Sequence, residues 1–130
     1  MTDLAKWNPA DTPSFSREEM ACKCGHCDGR ADMDADFMAK LQAMRDRSGP
    51  LAVTSGFRCP QHPEERKKSS PGSHAQGKAA DLSVLAGAKR YVILNLAFEV
   101  GMRGVGIGET FIHLDSGHDH APRPAVWRYP

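Results

Sequence analysis

The sequence predicts one α+β domain, a small antiparallel sheet flanked by helices. Three observations predict it. The chain has 130 residues, an ordinary size for a single domain, and 40% of them are apolar, enough for one modest core. Two stretches carry apolar residues at helical spacing. Several short apolar runs bounded by glycine, proline or serine read as strands, and they do not alternate strictly with the helices. There is no internal repeat, low-complexity segment or separating linker. Residues 1–14 are therefore read as an N-terminal lead and residues 15–130 as the domain.

The elements follow in order. Ser16-Arg-Glu-Glu19 has a helix-start pattern, with Ser16 as N-cap and Glu19 at the third helical position. That helix is short, because Cys22 to Gly29 is turn-like. Asp34 to Arg47 is the clearest helix: Phe37, Met38, Leu41 and Met44 fall at helical spacing, Asp34 caps it, and Gly49-Pro50 ends it. Leu51 to Thr54 is a short strand leading into Ser55-Gly56. Ala79 to Val84 is extended. Ala88 to Val100 is a second helix with Val92, Leu96 and Val100 along one side, ended by Gly101. Gly104-Val-Gly-Ile-Gly108 is a strand or turn. It is not a phosphate loop, since no Lys-Ser/Thr follows. Phe111 to Asp115 is a strand, and the tail from Gly117 to Pro130 is polar and proline-rich, with Trp127 and Tyr129 as packing anchors.

Chemistry concentrates in two of these segments. Ser70-Pro-Gly-Ser-His-Ala-Gln-Gly-Lys-Ala-Ala-Asp81 sets a loop histidine, His74, six residues before the carboxylate of Asp81. Gly77 relieves the turn between them. In Phe111-Ile-His-Leu-Asp115, alternation puts Phe111, His113 and Asp115 on one face and Ile112 and Leu114 on the core face. A lone strand histidine is more often a hydrogen-bonded structural residue than a ligand. One carboxylate and two imidazoles, if they converge, make a three-ligand set that suits a catalytic zinc with a fourth position for water.

Thr54-Ser-Gly-Phe-Arg-Cys-Pro60, Ser73-His-x-x-Gly-x-Ala-x-Asp81 and Phe111-Ile-His-Leu-Asp115, in this order, resemble the zinc D-Ala-D-Ala carboxypeptidase and endolysin family. The resemblance covers roughly residues 15–127. It is closest to the short single-domain members of phages, prophages and bacterial cell-wall enzymes. Vancomycin-resistance D,D-dipeptidases and the hedgehog signalling domain share the zinc scaffold. The resemblance implies that His74, Asp81 and His113 bind Zn2+, that Arg58 lies near the site, and that the substrate is the peptide stem of peptidoglycan. Whether a carboxypeptidase or an endopeptidase is implied stays open. Many relatives carry Glu or Asp three residues before the last zinc histidine, and here that residue is Thr110. Glu109 is then the expected general base, with Asp115 second and His118 or His120 after it. The departure at Thr110 keeps a second reading open, a zinc-bearing module that binds wall peptides without turnover. A third is a structural protein in which the cysteines alone hold metal.

Cys22, Cys24 and Cys27 form a C-x-C-x-x-C cluster, and Cys59 lies beside the Arg58 segment. With Cys59 or His26 as a fourth ligand they make a structural zinc site. A disulfide between Cys59 and a cluster member, or four inert thiols, are the alternatives. None is assigned as a nucleophile, because the histidines are committed to metal.

A net charge of +1 gives no reason to invoke nucleic acid. Arg66-Lys-Lys68 reads as a solvated loop, with mild attraction to anionic cell wall as a secondary role. No run of eighteen apolar residues is present, so no membrane partner is expected. The start of the chain has no apolar signal region. The expectation is cytoplasmic synthesis, action on the wall after release or within a phage particle, and a monomer.

Overall fold

The computed structural model describes residues 6–25, 27–68, 72–117 and 121–130. Among the described residues, four α-helices and a five-stranded sheet follow a 3-10 turn at Pro9–Asp11: α1 (Arg17–Met20), α2 (Ala35–Ser48), β1 (Ala52–Ser55), α3 (Pro63–Arg66), β2 (Ala79–Ser83), α4 (Gly87–Val100), β3 (Gly104–Ile107), β4 (Phe111–Asp115) and β5 (Ala125–Arg128). The spatial order is β1-β2-β4-β3-β5. The first three pairings are antiparallel, but β5 adds parallel to β3, so the sheet is mixed rather than antiparallel. The polar, proline-rich tail contributes that fifth strand.

Local chemistry accounts for the helices. Ser16 Oγ accepts from Glu19 N at 3.1 Å while Glu19 Oε1 accepts from Ser16 N at 2.9 Å, a reciprocal cap on α1. Asp34 caps α2 by accepting from Phe37 N at 3.0 Å. The inward face of α2 is Phe37, Met38, Leu41 and Met44, all fully buried. Truncating Phe37 to alanine would cost about 3–5 kcal/mol, counting the cavity left behind. The second long helix is rotated from the expected face. Ile93, Leu96 and Ala97 are buried, whereas Val92 is 39% exposed. The apolar residues of α4 run almost all round the helix, so periodicity could not select its inward side. Packing against α2 did.

The described part of the lead packs onto the rest of the chain. Lys6 bridges to Asp34, Trp7 is buried in the core, and its indole N–H donates to Thr12 Oγ1 at 2.8 Å. A short helix at Pro63–Arg66, which the sequence reading did not assign, starts on proline with His62 Nδ1 accepting from Glu64 N.

The sheet separates apolar and functional side chains. Ala80 opposes Leu114 and Leu82 opposes Ile112, and all four are fully buried in the core. Their alternate neighbours form a second face, where Asp81 opposes His113 and Ala79 opposes Asp115. Directly opposed residues of an antiparallel pair have Cβ atoms about 4.5–5.5 Å apart. The register of β2 on β4 therefore brings Asp81 and His113 together before any side-chain detail is considered.

Candidate metal centre

Asp81, His113 and His74 converge. Asp81 Oδ1 lies 3.1 Å from His113 Nδ1 and 3.4 Å from His74 Nε2. One donor atom from each of the three lies within 4.8 Å of the others. His74 reaches the strand pair from its loop because Gly77, at φ 71°, turns the chain back, with Gly77 N donating to His74 O at 3.2 Å. Asp34 N donates to Gly77 O at 2.8 Å, tying this turn to the start of α2. A bulge between Val53 and Ser55 re-aims the end of β1 towards Asp81.

The hydrogen-bond partners decide the tautomers. His74 Nδ1 is 2.7 Å from the carbonyl oxygen of Gly56, which can only accept, so Nδ1 carries the proton and Nε2 presents its lone pair. His113 Nε2 is 2.7 Å from Asp115 Oδ2. Asp115 is fully buried and ionised by a two-pronged pair with Arg123, Nε to Oδ1 at 2.9 Å and Nη2 to Oδ2 at 2.8 Å, so Nε2 is the proton-bearing nitrogen. His113 Nδ1 then also presents a lone pair. Two nitrogen lone pairs and a carboxylate oxygen aimed at one point repel unless a cation lies among them. Tetrahedral ligands about 2.0–2.1 Å from zinc are separated by about 3.3 Å, which fits the distances above. The three residues suit zinc in donor chemistry, tautomer and spacing.

Without a cation, protons compete for the same atoms. Burial holds the His74 pKa below the ordinary histidine value despite Asp81. Burial opposes protonation of His113 too, but Asp115 and Asp81 outweigh it and raise its pKa. Burial pushes Asp81 upward, yet with no cation to take their place, protons on the facing nitrogens of His113 and His74 hold it well below the carboxylate range. Asp115 is held low in the same way by His113 and Arg123.

Arg58 reaches the cluster. Its Nη2 donates to Asp81 Oδ2 at 3.3 Å and its Nε to Ser55 Oγ at 3.2 Å, and its backbone N–H donates to His74 O. The guanidinium thus occupies the carboxylate oxygen that does not face the histidines.

Glu109, the expected base, is not among the residues whose donor atoms gather at the cluster. It lies in the exposed turn between β3 and β4, and Phe111 intervenes along the strand between it and His113. Its carbonyl is held by Arg90 Nη2 at 2.8 Å. The pairing of β3 with β4 is regular from Gly104↔Asp115 to Ile107↔Ile112, and Gly108 N donates to Phe111 O at 2.8 Å where the turn closes. Asp115 shares the face of His113 as expected and is placed as an acceptor that orients that ring. Its oxygens are taken by His113, Arg123 and Gly117 N. His118 and His120 lie outside the described residues, as does His26.

Two residues here were not assigned to the site from the sequence. Arg123 neutralises Asp115 and also lies over the Trp127 ring, 4.6 Å from its centroid. Trp127, expected only as a packing anchor, stands 5.4 Å from the His113 ring. A buried Asp on the site face needed a cation, but nothing in the sequence pointed to Arg123 among the prolines. The glycines of β3 do have a reason. A Cβ at Gly104 would collide with Asp115 and Arg123, one at Gly108 with Phe111, and one at Gly106 would sit 2.7 Å from Trp127 Nε1. Alternate glycines clear the face of β3 so that β4 and β5 side chains can cross it.

All four cysteines are described, and none is in a disulfide. They gather into a second group with one sulfur each within mutual reach, with Cys59 as the fourth member. No helix among the described residues is long and apolar enough to cross a membrane. Compared with family models, residues 13–115 match the one described as peptidase M15. No curated protein matches the chain.

Proposed function

Because the chain belongs to the peptidase M15 family of zinc metallopeptidases, we propose that it hydrolyses peptide bonds in the stem peptides or cross-links of peptidoglycan. The observation that carries the hydrolytic reading is the meeting of three lone pairs, from His74 Nε2, His113 Nδ1 and Asp81 Oδ1, at one point. The substrate class rests on the ordered motifs around Arg58, His74 and His113. A zinc ion there would supply a Lewis acid for the scissile carbonyl and a bound water whose pKa falls to about 7.

The chain's own residues set the rest of the chemistry. Gly56 O and Asp115 hold the two imidazoles in the tautomers that present lone pairs, so no reorganisation is needed at the moment of reaction. Arg58 is positioned to offer N–H donors to an oxyanion beside the metal position. All three ligands come from one chain, which supports action as a monomer. A protein of this kind acts on the wall after release from the cell or as part of a phage particle.

The test is digestion of purified peptidoglycan by zinc-loaded protein, with chelator-treated protein as control. Released D-alanine marks a carboxypeptidase, and new amino groups on insoluble wall mark an endopeptidase. Either product, lost in His74→Ala and restored to chelated wild type by zinc, is expected. Stoichiometric zinc at the site with neither product would remove the hydrolytic reading and leave a wall-binding module.

A further inference from the structure

The cysteine group sits apart from the chemistry above. Cys22, Cys24 and Cys27 lie in the loop after α1, and Cys59 follows β1, 32 positions further on than Cys27. Cys24 Sγ is 3.6 Å from Cys27 Sγ and 3.4 Å from Cys59 Sγ, and all four sulfurs lie within 4.8 Å of one another. Two disulfides would need only two close pairs. Four sulfurs in mutual reach need one common partner. Sulfurs about 2.3 Å from a tetrahedral zinc are separated by about 3.8 Å, close to what is seen here. The backbone supports the same arrangement, since Cys59 N donates to Cys22 Sγ at 3.3 Å, an N–H placed to stabilise thiolate charge. Cys22 N donates to Arg30 O at 2.7 Å and so closes the loop that presents the first three sulfurs. Gly25 and Gly29, at φ 78° and 69°, make its turns. Cys22 and Cys59 are buried while Cys24 and Cys27 are half-buried, so the group has an entry path from solvent.

We propose that Cys22, Cys24, Cys27 and Cys59 bind a second, structural zinc ion as a closed four-thiolate site. Four protein ligands leave no position for water, so this ion takes no part in hydrolysis. Its position gives it a mechanical role. It staples the 22–29 loop to the segment Ser55–Cys59, whose Gly56 O fixes His74 and whose Arg58 holds Asp81. Phe57 N donates to Met20 O at 2.9 Å in the same seam, with the Arg30 guanidinium over the Phe57 ring. Reduced thiols are required, because a disulfide removes two ligands at once.

Zinc is counted by elemental analysis in protein purified under reducing conditions. Two ions per chain are expected in wild type and one in the His74→Ala, His113→Ala double variant. Cobalt titrated into that double variant should give intense tetrahedral bands and thiolate-to-cobalt charge transfer. Alkylation followed by mass spectrometry should find all four cysteines protected until chelator is added. Cys24→Ser with Cys27→Ser should lose one zinc and lower the Tm by about 10 °C or more. These readouts need no activity. One zinc in wild type and none in the histidine variant would overturn the cysteine site while leaving the hydrolytic reading intact. A zinc lost only with the cysteines would do the reverse. Iron in place of zinc, or a mass four hydrogens short of the reduced chain, would also overturn the proposal.

Discussion

Asp115→Asn tests the tautomer argument directly. The carboxylate is fully buried, receives both prongs of Arg123, and accepts from His113 Nε2 and Gly117 N. Asparagine keeps the shape but has one acceptor oxygen. If that oxygen faces His113, the amide N–H2 faces the Arg123 fork, and two donors confront each other. Arg123 then loses its counter-charge with its side chain only 13% exposed. Breaking such a buried pair costs about 3–5 kcal/mol, most of it from the stranded charge. If the amide turns the other way, His113 loses its acceptor and its ring is no longer held with Nδ1 towards Asp81. Loss of a partner that orients a metal ligand costs about 10–100-fold in affinity. Metal-free protein reports the first cost by urea unfolding, and zinc competition with a chromophoric chelator reports the second. We expect the Asn variant to lose at least about 2 kcal/mol of apo stability and at least about tenfold in zinc affinity. Wild-type values in both assays would mean that the Arg123–Asp115–His113 chain does not orient the ligand.

Four further outcomes follow from the geometry. Glu109→Gln should retain zinc and nearly all turnover, and a loss of about 10²-fold or more would restore Glu109 as the base. Arg58→Lys keeps charge but loses the planar fork, so kcat should fall by about 10²-fold with little change in KM; unchanged kinetics would make Arg58 purely structural. Gly106→Ala should displace Trp127 and cost about 1–3 kcal/mol in thermal unfolding, whereas an unchanged Tm would show that the tryptophan has room to move. Buried Glu65 accepts from Lys68 Nζ at 2.8 Å and Gly72 N at 3.1 Å, and though burial raises its pKa these partners hold it below the ordinary 4.5. A depressed folded-state pKa gives stability that is present above 4.5 and lost as pH falls through the folded value. The Tm of Glu65→Gln should therefore fall less steeply with acid than that of wild type, and parallel curves would contradict it.

The sequence by itself determined the parts whose signals are local. The reciprocal cap of Ser16 and Glu19 and the Asp34 cap are made by neighbours within four residues, so they were legible before any fold was known. Alternation along Phe111–Asp115 placed Ile112 and Leu114 in the core and His113 and Asp115 on the other face, because a strand has only two faces. The tertiary structure alone decided what depends on distant partners. The inward side of α4 was set by α2, since apolar residues all round a helix leave no preferred face. The parallel addition of β5 was hidden in a proline-rich tail, because strand pairing is a property of two segments and the tail shows only one. Glu109 looked close to His113 in sequence, but a hairpin turn sends neighbouring residues outward to solvent while the register brings Asp81, 32 positions away, directly opposite the histidine. The partner of Asp115 was likewise unreadable. A buried carboxylate demands a cation, and only the folded chain decides that Arg123 supplies it.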